Sequence, residues 1–157
     1  MIRRVLDSDF PRLAEIYTEA VRRTPNRIYT PEQIDAWSAF PAKTEKFRQF
    51  VFGPETYAVI VENMPVAFCG LGHDGHIASL YVHPDYNRMG YASQLLQYIM
   101  ERGERGGMRR FHTEASFLSK AVFERHGFIV DRMDEVDYDG VLFRRFKMVR
   151  LVEAHRH

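Results

Sequence analysis

A mixed α/β (α+β) fold, with a largely antiparallel central sheet covered by helices on both faces, is predicted by three features of the chain. Apolar residues recur at helical spacing near the N-terminus and again just past the middle. Short β-rich runs separated by turn signals fill the centre and the C-terminal third. These blocks follow the order strand, two or three helices, three strands, helix, strand, helix, two strands, and a sheet so flanked needs helices on both faces. With 157 residues, 45% hydrophobic and 27% charged, the chain reads as one globular domain that buries a core without staples.

Ile2 to Val5 predicts a short strand, and Asp7, Ser8 and Asp9 offer caps for the helix after it. Leu13, Ile16, Tyr17, Ala20 and Val21 give that helix one apolar face, and Thr24-Pro25-Asn26 stops it. Thr30-Pro31-Glu32-Gln33 predicts a capping box, with proline at the first helical position. Ile34 and Trp37 share a face of that short helix, Pro41 ends it, and Glu45 to Phe52 predicts a further helical segment. Strands follow at Tyr57 to Glu62, Val66 to Leu71 and Ile77 to Val82. Their turns are expected at Asn63-Met64-Pro65 and Asp74-Gly75. A second amphipathic helix carries Ala92, Leu95, Leu96, Ile99 and Met100 and ends at Gly106-Gly107. Arg109 to Glu114 predicts a strand, Ser119 to His126 a short helix, and Gly127 its left-handed end. Phe128 to Val136 and Val141 to Val149 close the chain as a hairpin around Asp139-Gly140, with residues 150–157 expected as a flexible tail.

Charge excludes several classes of partner. Lys+Arg number 22 against 21 Asp+Glu, so no basic excess points to nucleic acid or an anionic membrane. The N-terminus lacks the apolar core of a signal peptide and no window reaches a membrane span, so a cytoplasmic location is expected. The single cysteine, Cys69, lies in an apolar run and reads as a buried thiol, with no disulfide.

The chemistry sits between Leu80 and Ser93. A strand ending Leu80-Tyr81-Val82 passes through His83-Pro84-Asp85-Tyr86-Asn87 into a loop and a helix start. Backbone N–H groups at a helix N-terminus, with the helix dipole behind them, make an anion site. Gly90 allows close approach, and small Ala92 and Ser93 keep the first turn uncrowded. Neither the G-x-G-x-x-G of dinucleotide folds nor the G-K-[ST] ending of triphosphate loops is present. On chemistry alone the segment reads equally as a phosphate site or as a well-formed helix start. Arg88 either adds charge to a phosphate or points to solvent.

The chain resembles the GNAT superfamily of acetyl-CoA-dependent N-acetyltransferases over nearly its full length. The resemblance is carried by Asn87-Arg88-Met89-Gly90-Tyr91-Ala92, similar to the family loop [Gln/Arg]-x-x-Gly-x-[Gly/Ala], and by Phe123-Glu124-Arg125-His126-Gly127-Phe128, similar to its Tyr-Glu-x-x-Gly-Phe segment. It implies that acetyl-CoA is the co-substrate, that the amides of Arg88, Met89, Gly90, Tyr91, Ala92 and Ser93 hold its diphosphate, that Leu80, Tyr81 and Val82 pair with its pantetheine arm, and that Phe123 lies by its thiol. Two positions depart from the family: Asn87 replaces Gln or Arg, and Phe123 stands where many members carry a tyrosine that protonates the departing thiolate. Phenylalanine has no proton to give.

An amine acceptor must lose a proton before it attacks a thioester. His76 stands about where some relatives place a catalytic glutamate, and its ordinary pKa near 6.5 suits that work; it also follows the turn directly and so reads as a solvated residue. Alternation puts His76, Ala78, Leu80 and Val82 on one face and Ile77, Ser79 and Tyr81 on the other. Tyr81 is the second catalytic candidate, lining the site or packing in the core, and a backbone N–H near Val82 is the expected oxyanion donor. The resemblance places the acceptor pocket between the early helices and the final hairpin, at Tyr29, Trp37 and Tyr138, where aromatic walls suit an apolar or cationic amine. Glu114 either attracts an ammonium or faces solvent. His73, Asp74 and His76 read as a turn, and no metal is expected.

The sequence thus predicts direct acetyl transfer to a primary amine of a small molecule. A protein or peptide acceptor, or a non-catalytic acetyl-CoA-binding module, is the alternative. The final strand leaves both a monomer and a homodimer open.

Overall fold

A computed structural model describes residues 1–153. Two half-sheets form its middle layer. The first has the order β1-β2-β3-β4, from β1 (Ile2–Arg4), β2 (Glu55–Val61), β3 (Met64–Leu71) and β4 (Ile77–Val82). The second has the order β5-β7-β6, from β5 (Arg110–Ala115), β6 (Ile129–Tyr138) and β7 (Val141–Leu151). Every ladder is antiparallel. The halves meet at a single parallel bridge between His76 and His112, where the His112 N–H donates to the Gly75 carbonyl at 3.1 Å.

One face of the first half-sheet is covered by α1 (Phe10–Arg22), α2 (Pro31–Ser38) and α3 (Thr44–Phe52). Leu13, Ile16, Phe47, Val51 and Phe68 are fully buried there, each stabilising the fold by about 1.5–3 kcal/mol relative to exposure. On the opposite face α4 (Tyr91–Arg105) and α5 (Lys120–Arg125) pack Leu95, Leu96, Ile99 and Phe123 against Val66, Cys69, Ile77, Phe111 and Met148.

The capping box forms as the sequence predicts: the Gln33 N–H donates to Thr30 Oγ1 at 3.1 Å and the Thr30 N–H to Gln33 Oε1 at 2.9 Å. Four other expectations need correction. Asp7–Asp9 form a 3-10 turn of their own, and Asp9 accepts from the Leu6 N–H and from Arg3 without capping α1. The β2–β3 turn rests on Glu62 and Asn63, both left-handed, so Met64 and Pro65 already belong to β3. Residues 150 and 151 end β7 instead of starting a tail, with the Arg150 Nη1 donating to the His126 carbonyl at 2.8 Å. The rest of the expected tail, from residue 154, lies outside the described residues. Last, a register shift at Gly70/Leu71 sets Leu71 opposite Ile77 and makes Ala78 an extra residue in β4. Ile77 therefore joins Leu80 and Val82 on the α4 face, while Tyr81 packs on the α1 face.

Candidate active site

β4 and β5 run side by side only at their start. Thr113 Oγ1 still donates to the Ile77 carbonyl at 2.9 Å, and past this point no β4–β5 pairing continues. The strands splay and leave one edge of β4 open. The His83 N–H donates to the Val66 carbonyl, which makes Val66–His83 a hydrogen-bonded pair of the β3–β4 ladder. By antiparallel alternation, Tyr81 also bonds to β3, and the backbone groups of Leu80 and Val82 turn toward the gap.

The mouth of the gap is the start of α4. Gly90 is its N-cap, left-handed at φ 80°, and no side chain caps the helix. The first backbone bond of the helix runs from the Gln94 N–H to the Gly90 carbonyl, so the amides of Tyr91, Ala92 and Ser93 lack helical partners. Arg88 is also left-handed, at φ 63°, and the exposed run Asn87–Gly90 forms a concave turn of backbone. A Cβ at Gly90 would meet nothing within 4 Å, so no protein atom crowds the loop at this position.

A cavity of about 560 Å3 opens onto the gap. Tyr29, Trp37 and Tyr138 all lie on its wall, together with Tyr17, Phe40 and Phe143, which no motif or spacing marks as pocket residues. Their rings interlock edge-on: Tyr29 meets Trp37 at 5.2 Å and Tyr138 meets Phe40 at 6.0 Å. Tyr29 Oη accepts the Phe117 N–H at 3.0 Å. Lys43 clasps Asp139 at the β6–β7 turn and lies 4.9 Å over the Tyr138 ring, which fastens the last hairpin to the helical layer. Tyr81 combines the two alternatives of pocket wall and core packing. It lines the cavity and stacks on Tyr17 and Phe68 at 4.5 and 5.6 Å. Burial pushes its hydroxyl up to about 12, which makes it a donor and a poor base.

The acid on the cavity wall is Glu114. His76 does not line the cavity; it sits behind Glu114, with Nε2 at 3.0 Å from Oε2. The hydrogen bond to Glu114 raises the His76 pKa above 6.5, and the same bond lowers that of Glu114. The sequence left Glu114 between attracting an ammonium and facing solvent, and its meeting with His76 was not legible. Arg145, on the same wall, is held by Asp134 at 2.9 Å. Phe123 is buried on the wall against Phe128, and Ser116 and Ser119, just ahead of its helix, also line the cavity.

The profile of the family described as "Acetyltransferase (GNAT) domain" matches residues 26–150. The chain belongs to the GNAT acetyltransferase family. An uncharacterized N-acetyltransferase of Escherichia coli, YafP, is 30% identical over 94% of this chain and 93% of that protein. The fold is shared with a GCN5-related N-acetyltransferase from Rhodopseudomonas palustris, at TM-score 0.92 and 24% identity over 97% of this chain and 95% of that one. It is shared also with the PaiA N-acetyltransferase of Thermoplasma acidophilum, whose structure contains coenzyme A, at TM-score 0.76 and 18% identity over 96% and 98%. As a GNAT member the protein is an acetyl-CoA-dependent N-acetyltransferase. Acetyl-CoA fits what the chain offers: an uncapped helix start for the diphosphate and an open strand edge for an extended amide arm. Cys69 is fully buried, and burial pushes its thiol far above the usual range, so this GNAT protein has no nucleophile there for an acyl-enzyme.

Proposed function

We propose that the protein carries the acetyl group of acetyl-CoA directly to a primary amine on a small, apolar or cationic acceptor. One observation carries the reading: an aromatic cavity of small-molecule size opens onto the β4–β5 gap with the Glu114 carboxylate on its wall. Acetyl-CoA supplies an acyl group activated as a thioester. The chain's residues do the rest.

The amides from Arg88 to Ser93 hold the diphosphate, and the backbone of Leu80 and Val82 holds the pantetheine amides. Glu114 draws the protonated amine to the wall, and the aromatic rings favour the same positive charge. The Glu114–His76 pair then takes one proton from it. Glu114 is the contact, and its hydrogen bond raises the pKa of His76 from the ordinary 6.5, which makes the imidazole the better proton acceptor of the two. The Val82 N–H faces the place where negative charge develops on the acyl oxygen. With phenylalanine at 123, no side chain at that position protonates the thiolate; it leaves as the anion, which a thiol pKa near 8.5 allows, and the proton that the nitrogen sheds as the amide forms neutralises it.

The experiment is calorimetric titration with acetyl-CoA, then a thiol-release screen over polyamines, aminoglycosides, amino acids and short peptides. Release with small amines and not with peptides is expected. Release with peptides alone would replace the acceptor class. Phe123 favours one second reading, a module that binds acetyl-CoA without transfer; binding with no release from any amine would establish it.

A further inference from the structure

His112 and Glu114 stand two residues apart on β5, so their side chains leave the same face of the strand. His76 lies opposite His112 in the parallel bridge that joins the half-sheets, and its ring stacks on that of His112 at 5.0 Å and 21°. Strand register alone therefore gathers three ligating side chains from two strands. Their ligand atoms all lie within 4.8 Å of one another. Asp74, from the turn before β4, adds a second carboxylate: Oδ2 is 3.6 Å from His112 Nε2, while Oδ1 accepts the His76 N–H at 3.1 Å. The three side chains are 33%, 27% and 29% exposed, shielded yet reachable from solvent.

We propose that His76, His112 and Glu114 form a binding site for a divalent transition ion of the zinc type, with its fourth position open to water or Asp74. Two imidazole nitrogens and one carboxylate oxygen are a donor set that zinc takes, whereas magnesium and calcium prefer oxygen alone. A tetrahedral ion with bonds of about 2.0–2.1 Å needs ligand atoms roughly 3.3 Å apart. The His76–Glu114 distance is already close to this at 3.0 Å, and the partly exposed His112 ring has only to turn to bring its nitrogen in from within 4.8 Å. The backbone beneath is pinned by the His112 N–H bond to Gly75. Arg145 and Lys147 flank Glu114 on β7, and Asp134 engages both, at 2.9 and 3.8 Å, which blunts their repulsion of a cation. Binding releases the proton shared by His76 and Glu114. Where that pair also serves as the base proposed above, a bound ion slows transfer; the site itself does not rest on that assignment.

The test titrates the full chain with Co2+ and follows its visible ligand-field absorption, then displaces Co2+ with Zn2+ to obtain the zinc affinity. The expected result is one saturable ion per chain and a zinc affinity at least about 100-fold weaker in His112→Ala and in His112→Gln, beyond the loss from an outer-shell partner. Both variants are checked for an unchanged thermal melt without metal, and at least the glutamine variant keeps the ring's approximate bulk. His155 and His157 are alternative chelators, so a double serine variant at those positions is run beside them and is expected to bind as tightly as the parent chain. Absence of bound Co2+, retention of tight binding in both His112 variants, or its loss in the tail variant would each overturn the proposal.

Discussion

His76 Nε2 lies 3.0 Å from Glu114 Oε2 across the seam of the two half-sheets, and only the second of these side chains reaches the cavity. The pair is hydrogen-bonded where the strands part. Its position ties the chemistry of the site to the register between β4 and β5.

The pH dependence follows from the sign of the two shifts. His76 titrates above its ordinary 6.5 because Glu114 bonds to its charged form. Turnover at saturating acceptor is expected to rise with pH along a limb centred above 6.5. Glu114→Gln removes the partner and moves the limb down, and His76→Ala lowers kcat by about 100-fold with acetyl-CoA affinity unchanged. A pH–rate profile of the three proteins checks this; an unchanged profile in His76→Ala removes His76 from the reaction. For stability, the raised His76 pKa makes the pair's contribution complete below 6.5, and it fades as pH rises through the folded-state pKa. The lowered Glu114 pKa makes it fade again as pH falls below the carboxylate's folded-state value. The whole effect stays under about 1 kcal/mol in this half-exposed pair.

Gly90 separates binding from folding. Its φ of 80° costs a residue with a Cβ roughly 1–2 kcal/mol, yet that Cβ touches no protein atom. Gly90→Val is therefore expected to fold, with a modestly lower melting temperature, and to lose acetyl-CoA affinity by at least about 100-fold, or ~2.7 kcal/mol. Calorimetry with acetyl-CoA reads the result, and normal affinity would sink the loop assignment.

Trp37 packs edge-on to Tyr29 and is only partly buried, at the cavity wall. Trp37→Ala is expected to raise the acceptor KM about tenfold, equal to ~1.4 kcal/mol, and to leave the KM for acetyl-CoA within twofold. Initial-rate kinetics over both substrates would show the split. Equal losses for both would mean that Trp37 supports the fold and not the acceptor.

Gly103 is required by a close approach. A Cβ there meets the fully buried Phe111 ring at 2.6 Å, and the α4–β5 packing leaves that ring no room. Gly103→Ala is expected to destabilise the protein by about 1–3 kcal/mol despite alanine's better helix propensity. Urea denaturation measures it; a neutral or stabilising outcome would show that Phe111 repacks.

Local rules account for much of what the sequence discloses. The Thr30–Gln33 box, the left-handed Gly127 and the Asp139-Gly140 turn each depend on neighbours within a few residues, and each forms as read. The loop at Gly90 was legible for the same reason. A helix start without a cap is a local property, and the family motif marks it.

Contacts between distant segments were not legible in spacing or periodicity; the meeting of Tyr29, Trp37 and Tyr138 came only through the family resemblance. Period-2 alternation put Ile77 with Tyr81, but the bulge at Ala78 is set by pairing with β3, and it turns Ile77 to the α4 side. His76 and Glu114 are 38 residues apart in sequence, and no spacing rule joins them. What the sequence alone determined is the order of the elements, most of their turns, the Thr30–Gln33 capping box, the glycine-started helix after β4 and the membership of its family, because these are written in residues close along the chain. What only tertiary structure decided is the partner of His76, the acid on the cavity wall and the gathering of Tyr17, Phe40 and Phe143 beside Tyr138, because those depend on strand register and helix packing between residues that folding alone brings together.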